Sequence, residues 1–448
     1  IYKGILKYLH QVSGTPYVVA PLPVKSMKIS GEKGNYVLSW LPTPDPLEPT
    51  ARADYYQVYE RTGDGAFIEL AVVDEPRISL TPADDRIYSY KVVAVNRGGR
   101  SFPSETLALC NMPQSEMPQV TVVNGFTRVS GPAFLGEEYR RGADYETDFG
   151  VPYMYDLHFT GRQTEFAPGM EWVNNDDPGY GASDKDFERR LVAGNTFDYV
   201  YVHGEAIREA GAGFISESAE AFVNSTEIPA VVDLILGLQR QVMTGSTSKT
   251  DFKAFDERMQ HRLSNIAAMG GNILVSGSYI ASDLFNNPFS SPEVAHNAAL
   301  FAGKVLGMTW DEGKVDGEDE AHSVKSKFNE FDGIGRLKFS SGLNEESYAV
   351  TSPDRLQADE AYGQPVMRYN DRYASVAGTA FDPGNHRTVC LGFPLESVKS
   401  SSKRADIMKS ALAFFNAPKG RHHVRPKVLP ETIQQPVKPK KSKKGRKK

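Results

Sequence analysis

The chain reads as a multidomain protein: an all-β sandwich followed by a larger α/β domain with a doubly wound, mostly parallel sheet. Three observations predict this. The 448 residues exceed what one ordinary core holds. Between Pro21 and Pro113, short β-rich runs alternate with turns. Between Gln119 and Ala417, compact apolar runs alternate with helical stripes, the pattern of strands buried on both faces with helices between them.

Residues 1–20 come first. "IYKGILKYLHQ" places Ile1, Ile5, Leu6 and Leu9 at helical spacing without an N-cap, so it reads as the last helix of an upstream domain. "SGTPYVVAPLPVKS" then reads as an extended linker, because its prolines bar helix. The first residue is Ile, not Met, so a fragment or processed form is expected and no leader reports the compartment.

Residues 21–113 carry "YVLSW", "YYQVYERT", "FIELAVV", "YSYKVVAVN" and "ETLALC", spaced as in a sandwich. Residues 119–417 carry "VTVVNGF", "FDYVYVHG", "PAVVDLILG", "GGNILVSG" and "HRTVCLGF" as expected buried strands. The helices between them are the Phe252, Phe255, Met259, Leu263, Ile266 stripe with its Gly-Gly stop, and "SSPEVAHNAALFAGKVLG", capped by Ser290 or Ser291 with Pro292 in its first turn. "SSKRADIMKSALAFFNA" closes the domain. The loop-rich, acidic stretch 145–186 and hairpin material in "RLKFSSGLNEESYAV" and "ASVAGTAFD" interrupt this alternation.

Charge is unevenly spread. Residues 419–448 hold 12 Lys and Arg against the single acid Glu431, so the rest of a chain of net charge −5 carries −16. Residues 418–448 therefore read as a disordered, solvated basic tail that would touch an anionic surface in a salt-sensitive way. The acidic body argues against a dedicated nucleic-acid protein. No apolar run reaches the roughly 20 residues of a membrane span. Cys110 and Cys390 lie far apart in apolar runs and read as buried thiols, neither a disulfide framework nor a metal site.

Ligands of open α/β sheets sit beyond the carboxyl ends of the strands. The candidates are thus Asn124 and Arg128 after the first strand, His203 and Glu205 after the second, Ser276, Ser278 and Tyr279 after "NILV", and Glu396 after the last. A nucleophile elbow needs Gly on both sides of the nucleophile. "V-S-G-S-Y" offers one, Gly277, between two serines. Ser278 or Ser276 would need His203 as base, with Glu205 or Glu396 to orient it. Both serines read equally as caps of the following turn. "NNDDPGYGASDKD" (174–186) and "DEGKVDGEDEAH" (311–322) are rich in oxygen ligands but lack calcium-loop spacing, and read as solvated loops. Tyr153, Tyr155, Phe159, Phe166 and Trp172 offer rings for sugar stacking or for packing onto the sheet. No GxGxxG, P-loop, HExxH or CxxC occurs, and no metal or cofactor site is expected in this chain.

Three resemblances sharpen these readings. The "LSW" strand, the Y-x-x-x-V-x-A-x-N strand from Tyr88 to Asn96 and the "GRSFPS" turn resemble a fibronectin type III domain, which implies a packing role for Tyr88 as a buried corner tyrosine. "GGNILVSGSYIASDL" with the late "HRTVCLGFPLES" is similar to the class I glutamine amidotransferase-like fold, a flavodoxin-like arrangement. That family's elbow Cys falls at about Gly277 and its late His at Pro394, while Glu396 matches, so the resemblance implies the fold and argues against amidotransferase activity. The run "PGYGASDKDFE…AGNTFDYVYVHGEAI…VDLILGLQR…GGNILVSGSYIASDL" resembles the C-terminal region of secreted Bacteroidetes proteins labelled N-acetylmuramoyl-L-alanine amidase or xanthan lyase. It implies a zinc amidase upstream, none of whose ligands are assigned here, and a periplasmic, outer-membrane-associated or extracellular location. No lyase motif is visible.

The expected function is a non-catalytic accessory or binding region of a cell-envelope peptidoglycan amidase or polysaccharide-acting protein, with peptidoglycan or another glycan as partner. The alternatives are a small amide or ester hydrolase using Ser278 or Ser276 with His203, and an envelope interaction module whose basic tail holds an anionic surface.

Overall fold

A computed structural model describes residues 2–126 and 199–416, apart from 244–249, 252, 287–289, 316–318, 341–346, 348–349 and 351–352, together with two strands, Ala133–Gly136 and Arg141–Asp144, between them. The expected insertion 145–186, its aromatic cluster, Arg128 and the basic tail lie outside the described residues.

Helix α1 (Tyr2–Ser13) precedes the sandwich strands β1 (Lys25–Glu32), β2 (Asn35–Leu41), β3 (Tyr55–Thr62), β4 (Ile68–Val73), β5 (Arg77–Leu80), β6 (Ile87–Asn96), β7 (Gly99–Arg100) and β8 (Leu107–Cys110). One sheet runs β1–β2–β5 and the other β4–β3–β6–β8, all antiparallel. Alternating residues meet between the sheets: Tyr36, Leu38 and Trp40 of β2 face Tyr56 and Val58 of β3 and Tyr90, Val92 and Ala94 of β6. Trp40 and Tyr56 pack edge to face at 5.4 Å. Tyr88 is half-buried against this core, and the fully buried tyrosine is Tyr90, two positions along the same face.

The second unit follows after nine residues: β9 (Val120–Asn124), the pair β10 (Ala133–Gly136) and β11 (Arg141–Asp144), α2 (Tyr199–Glu209), β12 (Phe214–Ser218), α3 (Ala219–Asn224), β13 (Val231–Gly237), the short pair β14 (Val242–Met243) and β15 (Thr250–Asp251), α4 (Glu257–Ala268), β16 (Asn272–Gly277), α5 (Ser282–Phe285), α6 (Pro292–Phe301), β17 (Met308–Lys314), β18 (Glu320–Ser323), β19 (Arg336–Lys338), β20 (Asp354–Ala358), β21 (Gly363–Tyr369), β22 (Val376–Phe381), β23 (Thr388–Leu391) and α7 (Ser401–Asn416). Five strands are parallel, in the spatial order β12–β9–β13–β16–β23. Counted along the chain this is 2-1-3-4-5, an order of doubly wound sheets. β22 adds antiparallel beside β23, and β17 to β21 extend that side. Helices α2 and α7 cover one face, and α3 to α6 the other.

The caps follow local chemistry. Asp256 and Ser291 each accept a bond from the N3 amide of α4 and α6. A π-helical turn (Ala302–Leu306) continues α6 and stops at Gly307, φ 65°, where a Cβ would overlap the Phe381 ring.

One expected strand is a helix. "FDYVYVHG" enters α2, because Tyr199, Val200, His203, Gly204, Ala206 and Ile207 form one buried helical stripe. The second parallel strand is instead "FISES", Phe214–Ser218. The expected acidic loop 311–322 is in large part strand, in β17 and β18.

The sandwich and the α/β unit are joined through their sheets. Edge strand β12 pairs antiparallel with β8 at Phe214 and Cys110, and with β1 at Glu217 and Lys28. The Ser216 hydroxyl donates to the Ala108 carbonyl at 2.7 Å and accepts from the Ala108 amide at 2.8 Å. Ile215 enters the sandwich core, while Ala108 and Cys110 enter the core beneath α2. No described helix is long and apolar enough to cross a membrane.

Candidate functional site

Three residues that are far apart in sequence meet over the sheet face that α2 covers. His203 projects from α2, Asp233 from the middle of β13, and Glu396 from a 3-10 turn (Leu395–Ser397) after β23. The His203 Nδ1 lies 2.7 Å from Asp233 Oδ2, and its Nε2 lies 3.2 Å from Glu396 Oε2. All three side chains are removed from solvent. Gly204 makes the approach possible, because a Cβ there would overlap the Phe214 ring and lift α2 off the sheet.

Electrostatics decide the state of this triad. Burial alone works against a charged ring, but the Asp233 and Glu396 carboxylates outweigh it and lift His203 to about 9. At neutral pH the ring is an imidazolium donating from both nitrogens. A general base needs a free nitrogen facing the nucleophile. His203 has none, so this arrangement ties helix, strand and turn together and presents no base to a serine.

Both serines of the elbow stretch are fully buried. Ser276, the last residue but one of β16, lies on the same sheet face as Asp233, two pairs along the β13–β16 ladder, roughly 8 Å away by strand spacing. The Ser276 and Ser278 hydroxyls have no hydrogen-bond partner among the described residues, nor does Asp233 Oδ1. Ser278 contributes its backbone: its amide donates to the Gly237 carbonyl at 2.9 Å, and its carbonyl accepts from the Asp354 amide at 2.8 Å. Neither serine caps the next helix by its side chain, and α5 has no side-chain cap.

Carboxylates fix the elbow from either side. Asp354 Oδ2 accepts from the amides of Ala281, at 2.9 Å, and Ser282, at 2.6 Å. Asp283 accepts from the amides of Gln241, Ala254 and Phe255 at 3.0–3.2 Å, pinning the segment after β13. Gly277 itself is packed shut: a Cβ there would stand 2.8 Å from Leu236 Cβ. Its φ lies outside the positive region seen at Gly237 and Gly307, so it lacks the strained backbone of a nucleophile elbow.

The other candidates lie apart from the triad. Glu205, two residues from His203, points elsewhere on α2 and accepts from the Tyr201 hydroxyl at 3.1 Å. The Tyr201 ring in turn lies 5.0 Å under the Arg61 guanidinium of the sandwich. Tyr279 is buried with Arg240 5.1 Å over its ring. Asn124, the last residue of β9, donates to Glu105 Oε2 at 2.7 Å. Burial pushes Glu105 up to about 8; the Asn124 donor works against this and Glu220 adds to it. At the same junction Glu217 is raised to about 7, chiefly by burial, with Lys28 and Arg262 opposing. Among the described residues no cluster of three His, Cys, Asp or Glu is arranged to hold a metal ion.

His203 and Glu396 were thus visible from sequence as single residues, but their partner Asp233 was not. Its signal is a lone acid inside the otherwise apolar strand "VVDLILG", where a charge persists only if paired. Asp283 and Asp354 carried no comparable signal.

No protein-family model and no curated protein matches the chain. Solved structures similar to part of the chain include fibronectin type III domains. A human fourth FNIII domain is 19% identical over 20% of this chain and 79% of its own, with a TM-score of 0.18. An FNIII domain of the human KIAA0970 protein is 19% identical over 20% of this chain and 72% of its own, also at 0.18. The twitchin kinase region of C. elegans is 20% identical over 21% of this chain, with a TM-score of 0.19, and this chain spans 17% of its length. The class that the fold defines is a multidomain, β-rich protein, in which an antiparallel sandwich is joined to an α/β unit.

Proposed function

We propose that this chain is a non-catalytic accessory or binding region, in which a fibronectin-like sandwich is fused to an amidotransferase-like α/β scaffold without elbow chemistry. The observation that carries this reading is the engagement of both His203 ring nitrogens by buried carboxylates, at 2.7 and 3.2 Å. The closed Gly277 position and Pro394 before Glu396 support it. By resemblance, the region would serve a cell-envelope peptidoglycan amidase whose zinc site lies in another domain, outside the cytoplasm, and its partner would be peptidoglycan or a related glycan. The sandwich, sharing strand pairing and core with the sheet, would hold the α/β unit at a fixed orientation.

A serine-reactive fluorophosphonate tests the non-catalytic part. The chain is expected to remain unlabelled, and labelling lost in Ser278→Ala or Ser276→Ala overturns it in favour of the hydrolase. Co-sedimentation with purified peptidoglycan tests the partner. Enrichment in the pellet is expected, and recovery in the supernatant overturns the glycan assignment.

A further inference from the structure

Far from the triad, at the end of the sandwich where β2 stops and β3 begins, lies a cleft of about 700 Å³. Its walls include Pro42, Pro44 and Pro76 with the Tyr56 ring, a rigid apolar surface of the kind that suits an extended chain. Its polar groups are predominantly acidic: Asp45, Glu48, Asp54 and Asp74, against the one cation Arg52. Two of these already hold ammonium groups of α1. Lys3 Nζ reaches Asp45 Oδ2 at 2.7 Å and Lys7 Nζ reaches Glu48 Oε1 at 3.2 Å, and both carboxylates are only 6% exposed. Asp54 and Asp74 are exposed and have no cationic partner among the described residues.

We propose that this cleft takes the lysine-rich C-terminal segment Lys438–Lys448 of the same chain. Charge complementarity favours that occupant: eight of its eleven residues are Lys or Arg, and none is acidic. Pro439 favours the extended backbone that a proline-walled groove accepts. Reach also suffices. Helix α7 ends at Asn416, beside Met117. The residues between Asn416 and Lys438 span up to about 70 Å when extended, roughly twice the length of a ten-residue sandwich strand. The lysines of α1 show what the cleft accepts, and Asp54 and Asp74 are the carboxylates left for the tail.

Zero-length carbodiimide coupling of the full chain at low ionic strength, on a mixture of 15N-labelled and unlabelled protein, tests this by mass spectrometry. Lysines of 438–448 should couple to Asp54 or Asp74 within one isotopic copy, with a yield that falls several-fold in about 0.5 M salt. Coupling mainly to acids elsewhere, coupling between copies, or no coupling overturns the proposal. A second readout is independent of the coupled groups. Hydrogen exchange across residues 42–54 should speed up several-fold when Lys438, Lys440, Lys441, Lys443 and Lys444 are changed to Gln, and unchanged exchange overturns the proposal as well.

Discussion

His203 and Asp233, thirty positions apart, meet at 2.7 Å with both side chains withdrawn from solvent. Glu396 takes the other ring nitrogen. A buried cation between two carboxylates is stable only while all three members are present. Removing the ring leaves two buried negative charges facing each other. His203→Ala should therefore cost about 3–5 kcal/mol of unfolding free energy in urea. Replacing all three by apolar residues of similar volume should recover much of that loss. Equal stability of the single and triple variants would show that the charges are not coupled.

Stability should fall as pH rises from about 4.5 to 9, and the sign follows from three groups. His203 is raised from 6.5 to about 9 by the Asp233 and Glu396 carboxylates acting against burial, so its contribution is full below 6.5 and lost as pH passes 9. Glu105 and Glu217 are raised from 4.5 to about 8 and about 7 by burial, so the folded state holds their protons longer than the unfolded chain does, and stability declines across those windows too. Urea midpoints measured from pH 5 to 9 should decline throughout. Glu105→Gln should flatten the lower part of the profile and leave the part above pH 8.

Gly277→Ala should destabilise by about 1–3 kcal/mol, because the added Cβ would stand 2.8 Å from Leu236 Cβ inside a packed sheet face. Gly303, with open space around a Cβ, is the control and should tolerate Ala with little change or a slight gain. Equal tolerance at both positions would mean that the elbow is roomier than its packing indicates.

The Ser276 and Ser278 hydroxyls are buried without partners among the described residues, so each carries a desolvation cost with no compensating bond. Ser276→Ala and Ser278→Ala should leave thermal stability unchanged or raise it by up to about 1 kcal/mol. A loss above that would reveal a bond to the hydroxyl.

Much of the α/β order was legible because strands buried on both faces are apolar throughout. "VTVVN", "VVDLILG", "NILVSG" and "TVCL" all became adjacent parallel strands. "FISES" escaped because Ser216, Glu217 and Ser218 look like solvent-facing residues. The sandwich supplies the Ala108 backbone to Ser216 and Lys28 to Glu217, while Ser218 caps α3 by accepting from the Ala221 amide. The aromatic and β-branched residues of "FDYVYVHG" favour strand, while packing of one stripe on the sheet makes it helix. The site was legible as residues but not as relationships. Placing His203 after a strand suggested a base facing the crevice, whereas on α2 its ring lies over Asp233. Only the register of β13 and the turn after β23 determine that pairing.

The central claim is that His203 is a locked imidazolium rather than a base. Nitrogen NMR of histidine-labelled protein, with the His203 signals assigned by their loss in His203→Asn, measures this directly. Both ring nitrogens of His203 should carry protons at pH 7.5 and titrate together only near pH 9. A neutral ring at that pH, with one unprotonated nitrogen and a midpoint below 7, would contradict the account.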